Sequence, residues 1–300
     1  MRAMAVQGRL LFVHAHPDDE TIGSGIAMAH YAGEGHQVTL VTCTLGEEGE
    51  VLVPELAHLA SMHDDVLGPH REDELADAMA VLGVTDHRLL GGAGRYRDSG
   101  MMGTEQNERS DAFWQADLTA ASTELAAVIR ETRPHVLVTY DEFGGYGHPD
   151  HIQAHRVAMY GSMLAAAPSF KPELGAAWDV PKIYWTAFPQ SDMDRTREVF
   201  AAKGIEFFGS EEPENGTPWA CPDALITTQV RDLALEPSKV QALLAHRTQI
   251  TKEAPFLAIS EMVGPEGLGT EYFRLVRGAI GPDLDADGRE SGLLSGVNLD

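Results

Sequence analysis

The chain has 300 residues and carries 22 Lys and Arg against 46 Asp and Glu, so its formal charge with neutral histidines is 22 − 46 = −24. Such a surface lacks the cationic footprint that phosphate backbones and anionic headgroups need, which makes nucleic acid and membrane surfaces poor partners. With 43% hydrophobic residues and 30 glycines, the composition is that of a globular protein of one large domain or slightly more, not of a disordered or repetitive chain.

Arg9 to His14 (RLLFVH) is a short apolar run that reads as a first strand. Thr21 to Tyr31 follows with helical apolar spacing before Gly33 and Gly35, and Gln37 to Cys43 reads as a second strand. Strand, helix and strand in about 35 residues form a βαβ unit, which predicts a parallel sheet with right-handed crossovers. The pattern recurs, with a helix over Glu72 to Leu82, a short strand over His87 to Leu90, a helix over Leu118 to Thr132 ahead of Pro134, a buried strand over His135 to Tyr140 and a helix from about His151 to Ala166. The predicted fold class is α/β, a Rossmann-like, mostly parallel sheet flanked by helices, with residues 1–170 as its core.

Beyond Pro168, prolines at 172, 181, 189, 213, 218 and 222 punctuate short segments such as Lys182 to Ala187 and Ala224 to Val230. Residues 171–281 are therefore expected to form an irregular C-terminal lobe that completes the substrate cleft. Within it, Glu236 to Gln249 reads as a helix with Pro237 in its first turn. Its Lys239, His246 and Gln249 are open to either a structural role or a place in the cleft. Residues 282–300 hold Asp283, Asp285, Asp287, Glu290 and Asp300 against Arg289 alone and read as a poorly ordered acidic tail.

Cys43 and Cys221 cannot build a disulfide framework and fit no metal-finger spacing. The first residues lack a signal-peptide pattern, and no apolar run reaches ~18 residues. The expectation is a soluble cytoplasmic protein, in which Asn215-Gly216-Thr217 is a turn rather than a glycosylation site.

Five of the 13 histidines fall in two windows at the carboxyl ends of predicted strands: His14 and His16 in HAHPDDE, and His148, His151 and His155 in or just after DEFGGYGHPDH. In open α/β sheets that edge is where ligands bind. Two imidazoles and a carboxylate are a common catalytic zinc set, and the windows offer more candidates than a metal needs, leaving groups for acid–base work. Asp18 or Asp19 alone could equally be an N-cap of the following helix. His30, His36, His58, His63, His70 and His87 lie scattered without carboxylates at ligand spacing. There is no G-x-G-x-x-G, no P-loop and no G-x-S-x-G elbow, and Cys43 reads as core rather than nucleophile.

His16-Pro17-Asp18-Asp19-Glu20 after a first strand, together with His148-Pro149-Asp150-His151 after a later one, resembles the LmbE-like, or PIG-L, family of zinc-dependent de-N-acetylases. LLFVHAHPDDE, VTCTLGEEGEV, LGGAGRYRDSGM, RPHVLVTYDEFGGYGHPDH and KVQALLAHRTQ are similar to members that deacetylate N-acetylglucosaminyl-inositol. The resemblance runs from about Arg9 to Gln249. It implies that His16, Asp19 and His151 hold one Zn²⁺ per chain, a donor set that Fe²⁺ also suits. It implies Asp18 as general base, His148 as general acid, Asp150 as the tuner of His148 and Tyr146 as the oxyanion donor, giving a bell-shaped pH profile. Arg71, Asp98, Glu47 and Met101 fall where the family contacts its small, neutral glycoside substrate.

Three alternatives compete with that expectation. One is an amidase of larger thiol conjugates on the same scaffold. Another is a two-metal hydrolase of the metallo-β-lactamase type, whose H-x-H-x-D opening His14 to Asp18 matches, although Asp19 stands where that motif needs His. The third is a non-catalytic sugar-binding module with a closed structural zinc shell.

Overall fold

The computed structural model describes residues 7–205 and 220–299; the Asn215 sequon, with Pro213 and Pro218, lies outside the described residues. In β1 (Arg9–His14), Leu10 and Phe12 pack into one apolar cluster and Leu11 and Val13 into another. A strand buried on both faces belongs at the centre of a sheet covered on both sides. The sheet is completed by β2 (Gln37–Thr42), β3 (Asp86–Leu89), β4 (Val136–Thr139), β5 (Lys182–Pro189), β6 (Ala220–Cys221), β7 (Thr228–Arg231) and β8 (Thr270–Arg277). The strand order is β3-β2-β1-β4-β5-β8-β7, with β6 paired to β5. β1 to β6 run parallel, whereas β8 is antiparallel to both β5 and β7.

The helices are α1 (Asp19–Gly33), α2 (Leu67–Leu82), α3 (Leu118–Thr132), α4 (Gly144–Gly147), α5 (Pro149–Ala166), α6 (Gln190–Ala202), α7 (Glu236–Ala245), α8 (Ile259–Val263) and α9 (Glu266–Gly269). Ile26, Met28, Leu75, Met79 and Ala242 from α1, α2 and α7 bury one face of the sheet, and Leu125, Ile129, Val157 and Ala158 from α3 and α5 bury the other. The strand order reverses between β1 and β4, and the crevice of an open α/β sheet lies at the carboxyl ends of such a pair. Among the described residues no helix is long and apolar enough to cross a membrane.

The parallel core follows the expected pattern, and the differences have physical causes. α2 starts at Leu67 rather than Glu72, because Pro69 sits in the first turn, where no intrahelical donor is lost. α7 ends at Ala245, where the backbone of His246 leaves helical ψ as its ring turns to Glu20. α6 and the central antiparallel β8 were not expected. Only Thr196 and Phe200 are buried along α6, and β8 is only partly buried over most of its length, so neither carries a clean periodicity.

The expected acidic tail is instead part of the fold. Leu293 is fully buried, and the Glu290 carboxylate accepts from Lys182 Nζ at 2.5 Å, Tyr184 OH at 2.7 Å, Thr228 Oγ1 at 2.7 Å and Gly281 N at 2.6 Å. The bonded carboxylate holds the segment down while Asp283 and Asp287 are exposed. Removing one partner of a buried ion pair strands the other. Glu290→Ala is expected to lower the unfolding free energy by about 3–5 kcal/mol in urea titrations; a loss below ~1 kcal/mol would show that Lys182 does not depend on it.

Candidate active site

β1 delivers the chain into a turn that closes on α1. The His16 amide donates to Asp19 Oδ2 at 2.9 Å, and the Asp18 amide to Glu20 Oε2 at 2.9 Å. Asp18 holds φ at +123°, a conformation that costs a non-glycine residue about 1–3 kcal/mol and persists only where its surroundings impose it. Arg71 from α2 imposes it: one guanidinium nitrogen reaches both Pro17 O and Asp18 Oδ2, the latter at 3.1 Å, and another donates to Gly46 O at 2.8 Å. Behind them, buried His246 bonds Glu20 Oε1 at 3.0 Å.

From the other strand end, α5 presents His151 on its first turn. His151 Nδ1 faces Gly144 O at 3.1 Å, which makes Nδ1 the protonated nitrogen and leaves Nε2 as a lone-pair donor. Gly144 lies at φ +67°, and a Cβ there would come within 2.6 Å of the His151 Cβ, so only glycine allows this approach.

His16 Nδ1, Asp19 Oδ2 and His151 Nε2 converge, with separations of 3.2 Å for His16 to Asp19, 3.3 Å for His151 to Asp19 and 3.3 Å for His151 to His16. Bonds of ~2.0–2.1 Å to a tetrahedral zinc require ligand atoms about 3.3 Å apart, so the triangle has the size the ion needs. Burial alone would raise the Asp19 pKa, yet His151 and His16 hold it well below the usual carboxylate range.

The second nitrogen of His16 is also engaged. Nε2 lies 3.2 Å from Asp150 Oδ2 and 3.6 Å from Asp98 Oδ1, and Asp150 is itself held by the Ser99 amide at 2.8 Å and the Ser99 hydroxyl. Asp150 therefore acts on His16, not on His148 as expected from the sequence, because Ser99 turns its carboxylate to the opposite imidazole. The only bond between the expected partners is from the Asp150 amide to His148 Nδ1, 3.1 Å. That bond makes Nε2 the N–H of His148. In the metal-free protein burial, and then His16 and His151, push the His148 imidazole far below its ordinary value. A second grouping, His16, Asp98, His148 and Asp150, also brings ligand-type atoms within 4.8 Å of one another.

His16, Asp19, Asp98, His148 and His151 border a cavity of about 450 Å³ that also includes Asp18, Arg71, Met101, Tyr146, Trp185, Gln249 and Arg274. Asp98 lies against His16 at its inner end. Glu47 does not line the cavity; its carboxylate accepts from the Asp98 amide at 2.9 Å and supports that residue from behind. The lining carries Asp18, Asp19, Glu48, Glu50, Asp98 and Asp141 against Arg71 and Arg274, and Arg71 is committed to Asp18. Burial raises the Asp18 carboxyl to about 6 against the opposing pull of Arg71, and burial also raises the Tyr146 hydroxyl. His14 and His155 stay outside the lining: His14 bonds Ser24 Oγ and Tyr140 OH, and His155 bonds Tyr140 O. Lys239 is structural, buried between Ile22 O and Glu271. A larger groove of about 850 Å³, bordered by Arg9, Gln37, Asp86 and Trp178, includes no residue of either window.

Ser99, Tyr140, Trp185 and Arg274 were not anticipated. Tyr140 alone had a signal, as the last residue of a predicted strand beside the second window. Arg274 stacks 5.2 Å above Trp185 on strands that meet only in the antiparallel part of the sheet.

At the switch point of this open α/β sheet lies a buried His/Asp cluster that could hold a metal ion. The family model PIG-L, described as GlcNAc-PI de-N-acetylase, matches residues 11–160, and the chain belongs to this family. It is 56% identical over 295 residues to a protein of Geodermatophilus obscurus named 1D-myo-inositol 2-acetamido-2-deoxy-alpha-D-glucopyranoside deacetylase, covering 98% of this chain and 99% of that one. Among solved structures it resembles N,N'-diacetylchitobiose deacetylase from Pyrococcus horikoshii, with TM-score 0.59, 19% identity, and 89% and 83% of the two chains covered. It also resembles a 4-carboxy-2-hydroxymuconate hydratase from Pseudomonas putida, with TM-score 0.60, 18% identity, and 93% and 100% covered. One fold thus carries different reactions, and the function must be argued from the site.

The backbone at Asp18 is open to direct test. Asp18→Gly removes the side chain and the strain, whereas Asp18→Ala removes only the side chain. Asp18→Gly is expected to unfold at higher urea than Asp18→Ala, by about 1 kcal/mol; equal stabilities, or a more stable Ala variant, would contradict the strain.

Proposed function

We propose that the chain removes the N-acetyl group of 1D-myo-inositol 2-acetamido-2-deoxy-α-D-glucopyranoside, releasing acetate and the glucosaminyl-inositol amine, as a step of mycothiol biosynthesis. The observation that carries this reading is the metal-sized triangle of His16, Asp19 and His151 beside the Asp18 carboxylate, which is braced by Arg71 and stands outside the triangle. It occurs in a chain similar over nearly its whole length to a protein named for that deacetylation. The ion is proposed to be a single Zn²⁺ on His16 Nδ1, Asp19 Oδ2 and His151 Nε2. Bound there, zinc supplies a Lewis acid for the amide carbonyl and lowers the pKa of water towards 7.

The remaining chemistry belongs to the side chains. Asp18, braced by Arg71, takes the proton from the attacking water as oxygen adds to the acetyl carbon. Tyr146 OH donates to the oxyanion, a contact of a kind that contributes ~2.7–4 kcal/mol where it has been dissected. As the C–N bond breaks, the nitrogen takes the proton held on Asp18, so one carboxyl carries it in both directions. His148, whose Nδ1 accepts from the Asp150 amide, turns Nε2 towards the reacting groups as a hydrogen-bond donor. Asp98 and Met101 border the sugar and inositol, and the Trp185 ring under Arg274 offers an apolar wall for one face of a sugar. Acidic lining favours a neutral glycoside over a phosphorylated one.

The test is acetate release from that substrate after chelation and metal restoration, run across pH. Activity should vanish on chelation and return with Zn²⁺ near one equivalent. Asp18 must be ionised to act, so activity should fall as pH drops through about 6, or lower once a dication stabilises the carboxylate. Full activity in the chelated protein, or an acid limb above about pH 7, would contradict the proposal.

A further inference from the structure

Two clamps act on Asp18, and they hold different atoms. Arg71 grips its carboxylate and the Pro17 carbonyl before it, whereas the Asp18 amide donates to Glu20 Oε2 at 2.9 Å. The Asp18 carbonyl accepts from the Thr21 and Ile22 amides at the start of α1. Glu20 is fully buried, and its Oε1 accepts from Thr21 Oγ1 at 2.5 Å and from His246 Nε2 at 3.0 Å. Thr21 belongs to the same turn. Among the described residues, His246 is the only partner of Glu20 from outside it. A carboxylate accepts and cannot donate, so Nε2 is a protonated nitrogen of this imidazole. Its Nδ1 is buried with no partner among the described residues. An orphaned buried polar atom works against the folded state, so packing alone does not account for a histidine here.

The segment that carries His246 is fixed in turn. His246 stands where α7 ends, and Thr248 just beyond it donates through its amide at 2.9 Å and its hydroxyl at 2.8 Å to the buried Glu74 carboxylate. Glu74 lies on α2, about one turn beyond Arg71, so both clamps on Asp18 are referred to one helix.

We infer that His246 is a positioning residue for the base. Through Glu20 it holds the peptide from which Asp18 directs its carboxylate, at a φ of +123° that persists only where the surroundings impose it. His246 does not line the cavity and touches neither substrate nor water in the proposed reaction. The inference rests on the proposal that Asp18 takes the proton from water during deacetylation.

The experiment compares His246→Asn and His246→Gln in zinc-loaded protein, with the inositol glycoside of the proposed reaction as substrate and thermal melts as a fold control. The Gln amide nitrogen extends about as far from the backbone as Nε2 and can donate to Glu20, whereas that of Asn stops near the place of Nδ1 and cannot. His246→Asn should lower kcat about 100-fold, the scale on which a misplacement of ~1 Å is felt, with KM and zinc affinity unchanged. His246→Gln should stay close to wild type. In Asp18→Asn protein, His246→Asn should have no further effect on kcat, because the group it positions is gone. Equal activities of the Asn and Gln variants, a loss carried by KM, or additive losses in the double variant would overturn the inference. So would a His246→Asn protein that no longer melts cooperatively, since the bond to Glu20 would then serve the fold. A wild type that releases no acetate would instead overturn the deacetylase reading on which it rests.

Discussion

The structure turns on one imidazole. His16 stands between two acidic groups, with Nδ1 towards Asp19 and His151 and Nε2 towards Asp150 and Asp98. A neutral imidazole has one proton, and the side that takes it decides which nitrogen can bind a metal. Asp150, fixed by Ser99, claims the proton for Nε2, and Nδ1 is left with its lone pair towards the triangle. Gly144 O does the same for His151 from the opposite strand end. Each histidine is thus oriented by a partner on its far side. In metal-free protein burial alone would lower the His16 pKa, yet Asp98, Asp150 and Asp19 together raise it well above ordinary, so a proton and a metal compete for this residue.

The rest of the fold serves that geometry. The parallel order β2-β1-β4 places two strand ends next to each other, and each feeds a loop and helix that carry one half of the site. The strained turn at Asp18 is held from α2 by Arg71 and from the C-terminal half by His246 through Glu20, so residues far apart in sequence fix one carboxylate. The charge of −24 acquires local meaning here. Its acids line the cavity where a neutral sugar would sit, while one of the C-terminal acids, Glu290, closes the far end of the sheet.

The sequence made the two windows legible because each is contiguous and each follows a strand whose apolar run is uninterrupted. From them the α/β class and the ligand candidates could be read. The roles within the second window could not. Asp150 adjoins His148 in the chain, but its partner is set by Ser99 in a loop whose path no local pattern records. The tail misled because five acids against one Arg read as solvated surface, whereas a single buried bond set around Glu290 is enough to anchor it. β8 escaped because it lies against a parallel strand on one side and an antiparallel neighbour on the other, and its half-buried positions blur the alternation. Glu47 shows the limit of carrying a role by position: it sits one residue from the cavity lining and turns its carboxylate to a backbone amide.

The central claim is that His16 offers Nδ1 to the metal and Nε2 to Asp150. A crystal structure of the zinc-loaded protein, with the ion located by anomalous scattering, tests it most directly. The account predicts one ion bonded to His16 Nδ1, Asp19 Oδ2 and His151 Nε2, with Asp150 still on Nε2. An ion on His16 Nε2 among Asp98, His148 and Asp150, or two ions sharing the site, would contradict it.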